Sequence, residues 1–87
     1  LMTEDKEYSR MRWASRRGLL ELDLLLEPFM EACFRALEPQ LRDDYQQLMG
    51  HEDQDILNWI MGREALADET LTAITEQIRA HNRSKLR

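Results

Sequence analysis

The sequence contains no valine and few other β-branched residues, the residue type that strands favour most. Its apolar residues instead recur at spacings of three and four, which is the period of a helix with one buried face. Two prolines and three glycines among 87 residues leave little room for long linkers. The pattern predicts an all-α protein, a small bundle of four to five short helices. We expect one domain over residues 1–87, with flexible ends near residues 1–5 and 83–87.

The scarcity of glycine, cysteine and histidine excludes several kinds of chemical site. The three glycines are widely separated, so there is no phosphate-binding loop, and a dinucleotide in a Rossmann pocket of the chain's own is excluded. Cys33 is the only cysteine, and its apolar neighbours predict a core thiol. His51 and His81 lack the spacing of a metal site, and either could pair with the thiol only if the fold brought them together. We therefore predict no catalytic residues, no metal and no cofactor of its own.

The chain also lacks a long apolar run. Its most apolar region, residues 19–37, is interrupted by five charged side chains, so it cannot cross a bilayer. The first fifteen residues are charged, and neither a signal peptide nor a transit segment is expected there. These features predict a cytoplasmic protein. A net charge of −5 argues against general nucleic-acid binding, for which a basic surface is typical.

Capping and helix-breaking residues mark the predicted boundaries of the first two helices. Thr3 is expected to cap a first helix that runs to about residue 15 or 16, before Gly18. A second helix begins near Leu19, and Pro28 inside it predicts a kink, or a break just before the proline.

The remaining helices are marked in the same way. The third opens at Pro39 and ends at Gly50, the fourth is capped by Asp53 and ends at Gly62, and Asp68 caps the last. The apolar positions of these segments predict the core, with Tyr45 and Trp59 as its large aromatic members.

A basic cluster near the N-terminus ends at a glycine. Beyond Gly18 the charge turns negative, at Glu21 and Asp23. Four arginines form the cluster: Arg10, Arg12, Arg16 and Arg17. A bare stretch of backbone between a guanidinium and a carboxylate suits docking against another protein, because a glycine permits close approach.

Two interpretations of the cluster stay open. In the first, the arginines pair with Glu7, Glu21 and Asp23, and Trp13 fills the core. In the second, Arg10, Arg17 and Glu21 face outward around Gly18 as a recognition patch, since arginine and tryptophan are enriched at binding hot spots. A nucleic-acid arm is a third possibility, but the acidic residues that follow would repel phosphates.

Several segments together resemble a known family. The residues Arg16-Arg17-Gly18-Leu19-Leu20-Glu21-Leu22-Asp23, preceded by Trp13, resemble the signature of the small succinate dehydrogenase assembly factors that promote flavinylation. The resemblance continues at Pro28-Phe29, through the acidic-start segment from Asp53 to Trp59, and at Asn82-Arg83. It covers the chain from about Tyr8 to Arg83 and points to the bacterial branch of the family.

The resemblance implies both a fold and a function. It implies a five-helix protein that binds the flavoprotein subunit of succinate dehydrogenase, with the related fumarate reductase as a second client. Such a factor promotes covalent attachment of FAD to a histidine of that subunit, and the FAD belongs to the client. The motif positions carried over are Arg17, Gly18 and Glu21, with Arg10 and Asp23 as neighbours on the same face. The alternative is an antitoxin-like or other protein-binding module that uses the same surface.

Overall fold

The computed structural model describes the backbone of residues 2–85 and the side chains of residues 3–83. Over this range the protein is helical and contains no strand, so the predicted all-α bundle is confirmed. Five α-helices follow one another: α1 Met2–Ala14, α2 Leu20–Cys33, α3 Pro39–Leu48, α4 Asp53–Ile60 and α5 Thr72–Lys85. Short 3-10 turns at Phe34–Ala36 and Glu69–Leu71 follow α2 and precede α5.

The ends of the helices agree with the prediction in some places and differ in others. Asp68 accepts a hydrogen bond from the backbone N–H of Thr70, at the start of the turn that leads into α5. Thr3 is not a cap, because α1 already includes Met2. The residue before α4 is Glu52, and Asp53 is instead the first helical residue. Of the ends expected to be flexible, residues 2–5 and 83–85 lie in helices, and residues 1, 86 and 87 lie outside the described range.

Helix α2 continues through Pro28, so of the two predicted alternatives the break just before the proline is wrong, and the kink stays a prediction. Proline has no N–H to donate to the carbonyl of Leu24, four residues earlier. Leu24 is 63% exposed, so water can reach this part of the helix, while Leu26 and Phe29 are fully buried on either side of the proline. Burial of the apolar face therefore holds the helix together across the missing hydrogen bond.

The core is built around stacked aromatic rings. Tyr45 of α3 lies between Phe29, whose ring is parallel at 6.0 Å, and Phe34, whose edge-on ring lies at 5.6 Å. Trp59 is buried as expected. α2 packs against α4 and α5, and α1 packs against α2 and the turn at Phe34–Ala36. The Tyr45 hydroxyl and the buried Ser15 hydroxyl share a hydrogen bond of 2.5 Å, which ties the end of α1 to α3.

Candidate functional site

The turn between α1 and α2 exposes a glycine backbone. Gly18 has a φ of +83°, a left-handed conformation that side chains with a Cβ rarely adopt. A Cβ added there would meet no other atom within 4 Å, so the space above the glycine is open. The glycine is thus required by the turn, and it faces solvent as the sequence predicted.

Arg17, immediately before this glycine, points the other way. Its Nη1 donates to the carbonyl oxygens of Ala14 (2.9 Å) and Met49 (2.8 Å), and its Nη2 donates to that of His51 (2.9 Å). The side chain is only 16% exposed. The expectation that Arg17 faces outward is therefore wrong. Met49 and His51 follow the C-terminus of α3, where unsatisfied carbonyls and the helix dipole attract a guanidinium.

Two carboxylates complete the environment of Arg17. Its Nε donates to Oδ1 of Asp53 at 2.6 Å, across 36 residues of sequence, and its backbone N–H donates to Oδ1 of Asp23 at 2.9 Å. We call this arrangement of Arg17, Asp23, Asp53 and the three carbonyls the Arg17 clasp. It fastens the turn at Gly18 to the turn between α3 and α4. Asp53 was expected to be a helix cap, and no signal in the sequence pairs it with an arginine so far away.

Glu21 lies in the first turn of α2, where a carboxylate is favoured by the helix dipole. Its side chain is 61% exposed and approaches Arg63 at 3.5 Å, a contact between two exposed groups that is worth little. Arg10 is also exposed. Gly18 and Glu21 therefore face solvent together at the start of α2, as predicted, whereas Asp23 is partly buried within the clasp.

The side chains of the basic cluster pair with acids other than the expected ones, and Asp23 accepts a hydrogen bond from the backbone of Arg17 instead. Three of its members contact carboxylates elsewhere in the bundle, and the pairs are Arg12–Glu31 at 3.4 Å, Arg16–Glu27 at 3.8 Å and Arg17–Asp53 at 2.6 Å. Glu7, one of the expected partners, instead approaches Arg42 at 3.1 Å. Of the three pairs made by the basic cluster, the one made by Arg17 is the most shielded from water, so it is the one expected to matter for stability.

Trp13 is 74% exposed, so the interpretation that placed it in the core is wrong. The register of α1 explains the difference. Met11 and Ser15 face the core, and Trp13, two residues from each, is turned about 200° away from both on a helix. The guanidinium of Arg16 lies 5.8 Å from the centre of the indole ring. A large aromatic side chain is thus exposed in the last turn of α1, the helix that leads into the glycine turn.

Apolar side chains at the start of α2 extend this exposed region. Leu20 is 72% exposed and Leu24 is 63% exposed; they lie one turn apart on the same helical face. Leu19, by contrast, packs against the core. The two leucines between Gly18 and Glu21, whose roles the sequence left open, are therefore divided between the core and the surface.

The remaining polar groups include one contact between a cysteine and a histidine. Sγ of the partly buried Cys33 lies 3.5 Å from Nδ1 of His81, so the fold does bring a cysteine and a histidine together. His51 contacts Trp59 edge-on at 5.0 Å. Among the side chains that the structure describes, no group of three or more histidines, cysteines and carboxylates could hold a metal ion.

Within residues 2–85, no helix is both long enough and apolar enough to cross a bilayer.

Comparisons with known proteins match nearly the whole chain. The family model described as flavinator of succinate dehydrogenase matches residues 9–82. A Vibrio cholerae protein named FAD assembly factor SdhE is 40% identical over 82 residues, which cover 94% of this chain and 95% of that protein. A Pseudomonas syringae protein of the same name is 43% identical over 77 residues, covering 88% of this chain and 92% of the relative. A solution structure of a UPF0350 protein superposes with a TM-score of 0.76 at 39% identity, over 94% of this chain and 87% of that one.

Proposed function

Because the chain belongs to the family of succinate dehydrogenase flavinators, we propose that it binds the flavoprotein subunit of succinate dehydrogenase and promotes covalent attachment of FAD to it. The family consists of assembly factors, in agreement with the prediction that the chain is not itself an enzyme. The observation that carries the proposal is the joint exposure of Gly18 and Glu21, the motif residues at the start of α2, with open space above the glycine.

The surface that docks the client is centred on this turn. We define the docking face as Trp13, Gly18, Leu20 and Glu21, with Arg10 at its edge, one helical turn before the tryptophan. It combines an open stretch of backbone, two large apolar side chains and a carboxylate. Tryptophan is among the side chains most enriched at binding hot spots, so Trp13 is the expected anchor of this face. Arg17 and Asp23 support the face from inside, since the clasp fixes the turn that presents Gly18.

The role of the factor is to position its client. The client supplies FAD and the histidine that receives it, and the chain holds no cofactor of its own. By binding most tightly to the client conformation in which flavin and histidine are close, the factor raises the population of that conformation. Holding two reacting groups in contact removes much of the entropic part of the barrier. The docking face needs only complementarity to that conformation and no reactive group.

A reconstituted flavinylation assay tests the proposal. Purified chain is incubated with FAD and the unflavinylated client subunit, and the attached flavin is measured as acid-stable fluorescence on a denaturing gel. We expect the Gly18→Arg variant to abolish the stimulation, because its side chain would project into the space that the client occupies. Gly18→Ala is the control, because its Cβ causes the same backbone strain at positive φ but it lacks the long arginine side chain. It should retain part of the stimulation. Full stimulation by Gly18→Arg, with its helical content unchanged, would refute the assignment of the docking face.

A second variant pair isolates the carboxylate. Glu21→Ala should weaken client affinity by about tenfold or more, because a client cation would lose its partner. Glu31→Ala is the matched control, since Glu31 lies on the same helix, pairs with an arginine and is 60% exposed, against 61% for Glu21. It should change the affinity by less than about twofold. Equal effects of the two variants would show that general charge, and not Glu21, is being measured.

A further inference from the structure

An apolar groove opens beside the docking face. It lies between the first half of α2, the end of α4 and the last turns of α5, and it encloses about 460 Å³. Its apolar lining comes from Leu24, Leu25, Ile60 and Met61. Leu24 remains 63% exposed and Met61 48% exposed, although the nearby Leu26 and Ile60 are buried. The groove is thus large enough for an apolar side chain, and no residue of the described chain fills it.

Charge is distributed unevenly around this groove. Arg79 and Arg83 of α5 line it together with Asn82, and Glu21 is the one acidic residue of the lining among the described side chains. The contact of Arg79 with Glu76 is 3.5 Å long between partly exposed groups, so it is weak enough to be exchanged for another carboxylate. A cationic wall is notable in a chain whose net charge is −5. The wall favours an acidic occupant over a basic or neutral one.

Glu21 connects the groove to the docking face, since it belongs to both. We propose, on the basis of the proposed function, that the groove receives an apolar side chain from an exposed acidic segment of the client flavoprotein subunit. The carboxylates of that segment pair with Arg79 and Arg83. The client then contacts one continuous surface, which runs from the turn at Gly18 across Leu20 and Leu24 to α5.

Binding of the unflavinylated client subunit to immobilised chain tests this groove. Leu24→Gln should weaken the affinity about tenfold, because a largely exposed leucine would lose its contact in the complex while the free protein stays folded. The double variant Arg79→Glu with Arg83→Glu should also weaken it about tenfold and should reduce its dependence on salt. Arg35→Glu is the control. Arg35 is 67% exposed and does not line the groove, so wild-type affinity is expected.

Methionine methyl groups give a readout that requires no substitution. On addition of the client, the methyl resonance of Met61 in the ¹³C-labelled chain should shift or broaden, since Met61 lines the groove. The resonance of Met30, which is 1% exposed, should not change and serves as the internal reference. An unchanged Met61 signal at saturating client would overturn the groove assignment. So would wild-type affinity in both Leu24→Gln and the double arginine variant.

The outcomes also separate this inference from the proposed function. If the wild-type chain stimulates flavinylation and the groove variants do so equally well, the groove inference fails alone. If the wild-type chain neither binds the client nor stimulates attachment, the proposed function fails.

Two further measurements, sedimentation equilibrium and binding to phosphatidylglycerol vesicles, test whether a second copy of the chain or a lipid surface occupies the groove. A dimer, or a vesicle complex, that is lost in Leu24→Gln would overturn the inference in favour of a second copy or a lipid surface.

Discussion

Removal of the Arg17 side chain is the sharpest test of the internal architecture. Arg17→Ala deletes three hydrogen bonds to backbone carbonyls and the ion pair with Asp53. Each carbonyl bond contributes about 1 kcal/mol, and the ion pair adds about 1 kcal/mol because Asp53 is partly exposed. We expect the free energy of unfolding to fall by about 3–4 kcal/mol, a large fraction of the roughly 5–15 kcal/mol typical of a small domain. Urea denaturation followed by circular dichroism at 222 nm measures it.

The neighbouring arginine is a natural control for this experiment. Arg16 is 58% exposed and reaches Glu27 only at 3.8 Å, so Arg16→Ala should cost less than about 0.5 kcal/mol. Arg17→Lys keeps the charge, but one ammonium group cannot reproduce the fork of donors, and we expect about half the loss seen with alanine. If Arg17→Ala unfolded within 1 kcal/mol of the wild type, the clasp would not hold the fold.

Two further predictions concern the core and the end of α4. Burial raises the pKa of the Tyr45 hydroxyl, although its hydrogen bond to Ser15 and the charge of Arg17 oppose the rise. Above a pH of about 10 the unfolded chain loses this proton and the folded chain keeps it, so stability should fall as pH rises. The midpoint of urea unfolding, measured from pH 8 to 11, follows this loss of stability. The loss should be smaller in Tyr45→Phe, which has no hydroxyl to titrate. An equal loss in that variant would show that other groups cause it. Gly62→Ala should cost about 1–2 kcal/mol, because Gly62 has a φ of +73° and a Cβ there would lie 3.3 Å from Nη2 of Arg79. Thermal unfolding measures the loss, and an unchanged midpoint would exclude strain at this turn.

The sequence predicts the buried side of this bundle well and its exposed side poorly. The apolar spacing of α2 agrees with the burial of Leu22, Leu26, Phe29 and Met30, whereas Leu25 and Cys33, which share the spacing, are only partly buried. That pattern reports which residues leave water, because burial on one helical face imposes the spacing. It does not report which large residues stay outside. One interpretation placed Trp13 in the core, and only the register of α1 decides that it is exposed.

In the candidate site, too, the sequence predicts some features and not others. Gly18 and Glu21 could be located from the charge pattern and the family resemblance, and their exposure is confirmed. The direction of Arg17 could not be predicted, because its partners come from a turn more than thirty residues away. This long-range pairing depends on how the turn between α3 and α4 comes to lie beside the turn at Gly18, and the residues next to Arg17 in the sequence do not indicate it. The groove is hidden for the same reason, since its lining is drawn from three separate helices.

The two tryptophans differ in their surroundings, which gives the protein two optical reporters. Trp13 stands in water at 74% exposure beside the glycine turn, whereas Trp59 is 6% exposed. A collisional quencher such as iodide therefore reaches the first indole and not the second while the chain is folded. Client docking should protect Trp13 from quenching and leave Trp59 unaffected, whereas unfolding should open Trp59 to the quencher. Loss of binding and loss of folding can thus be told apart in a single cuvette.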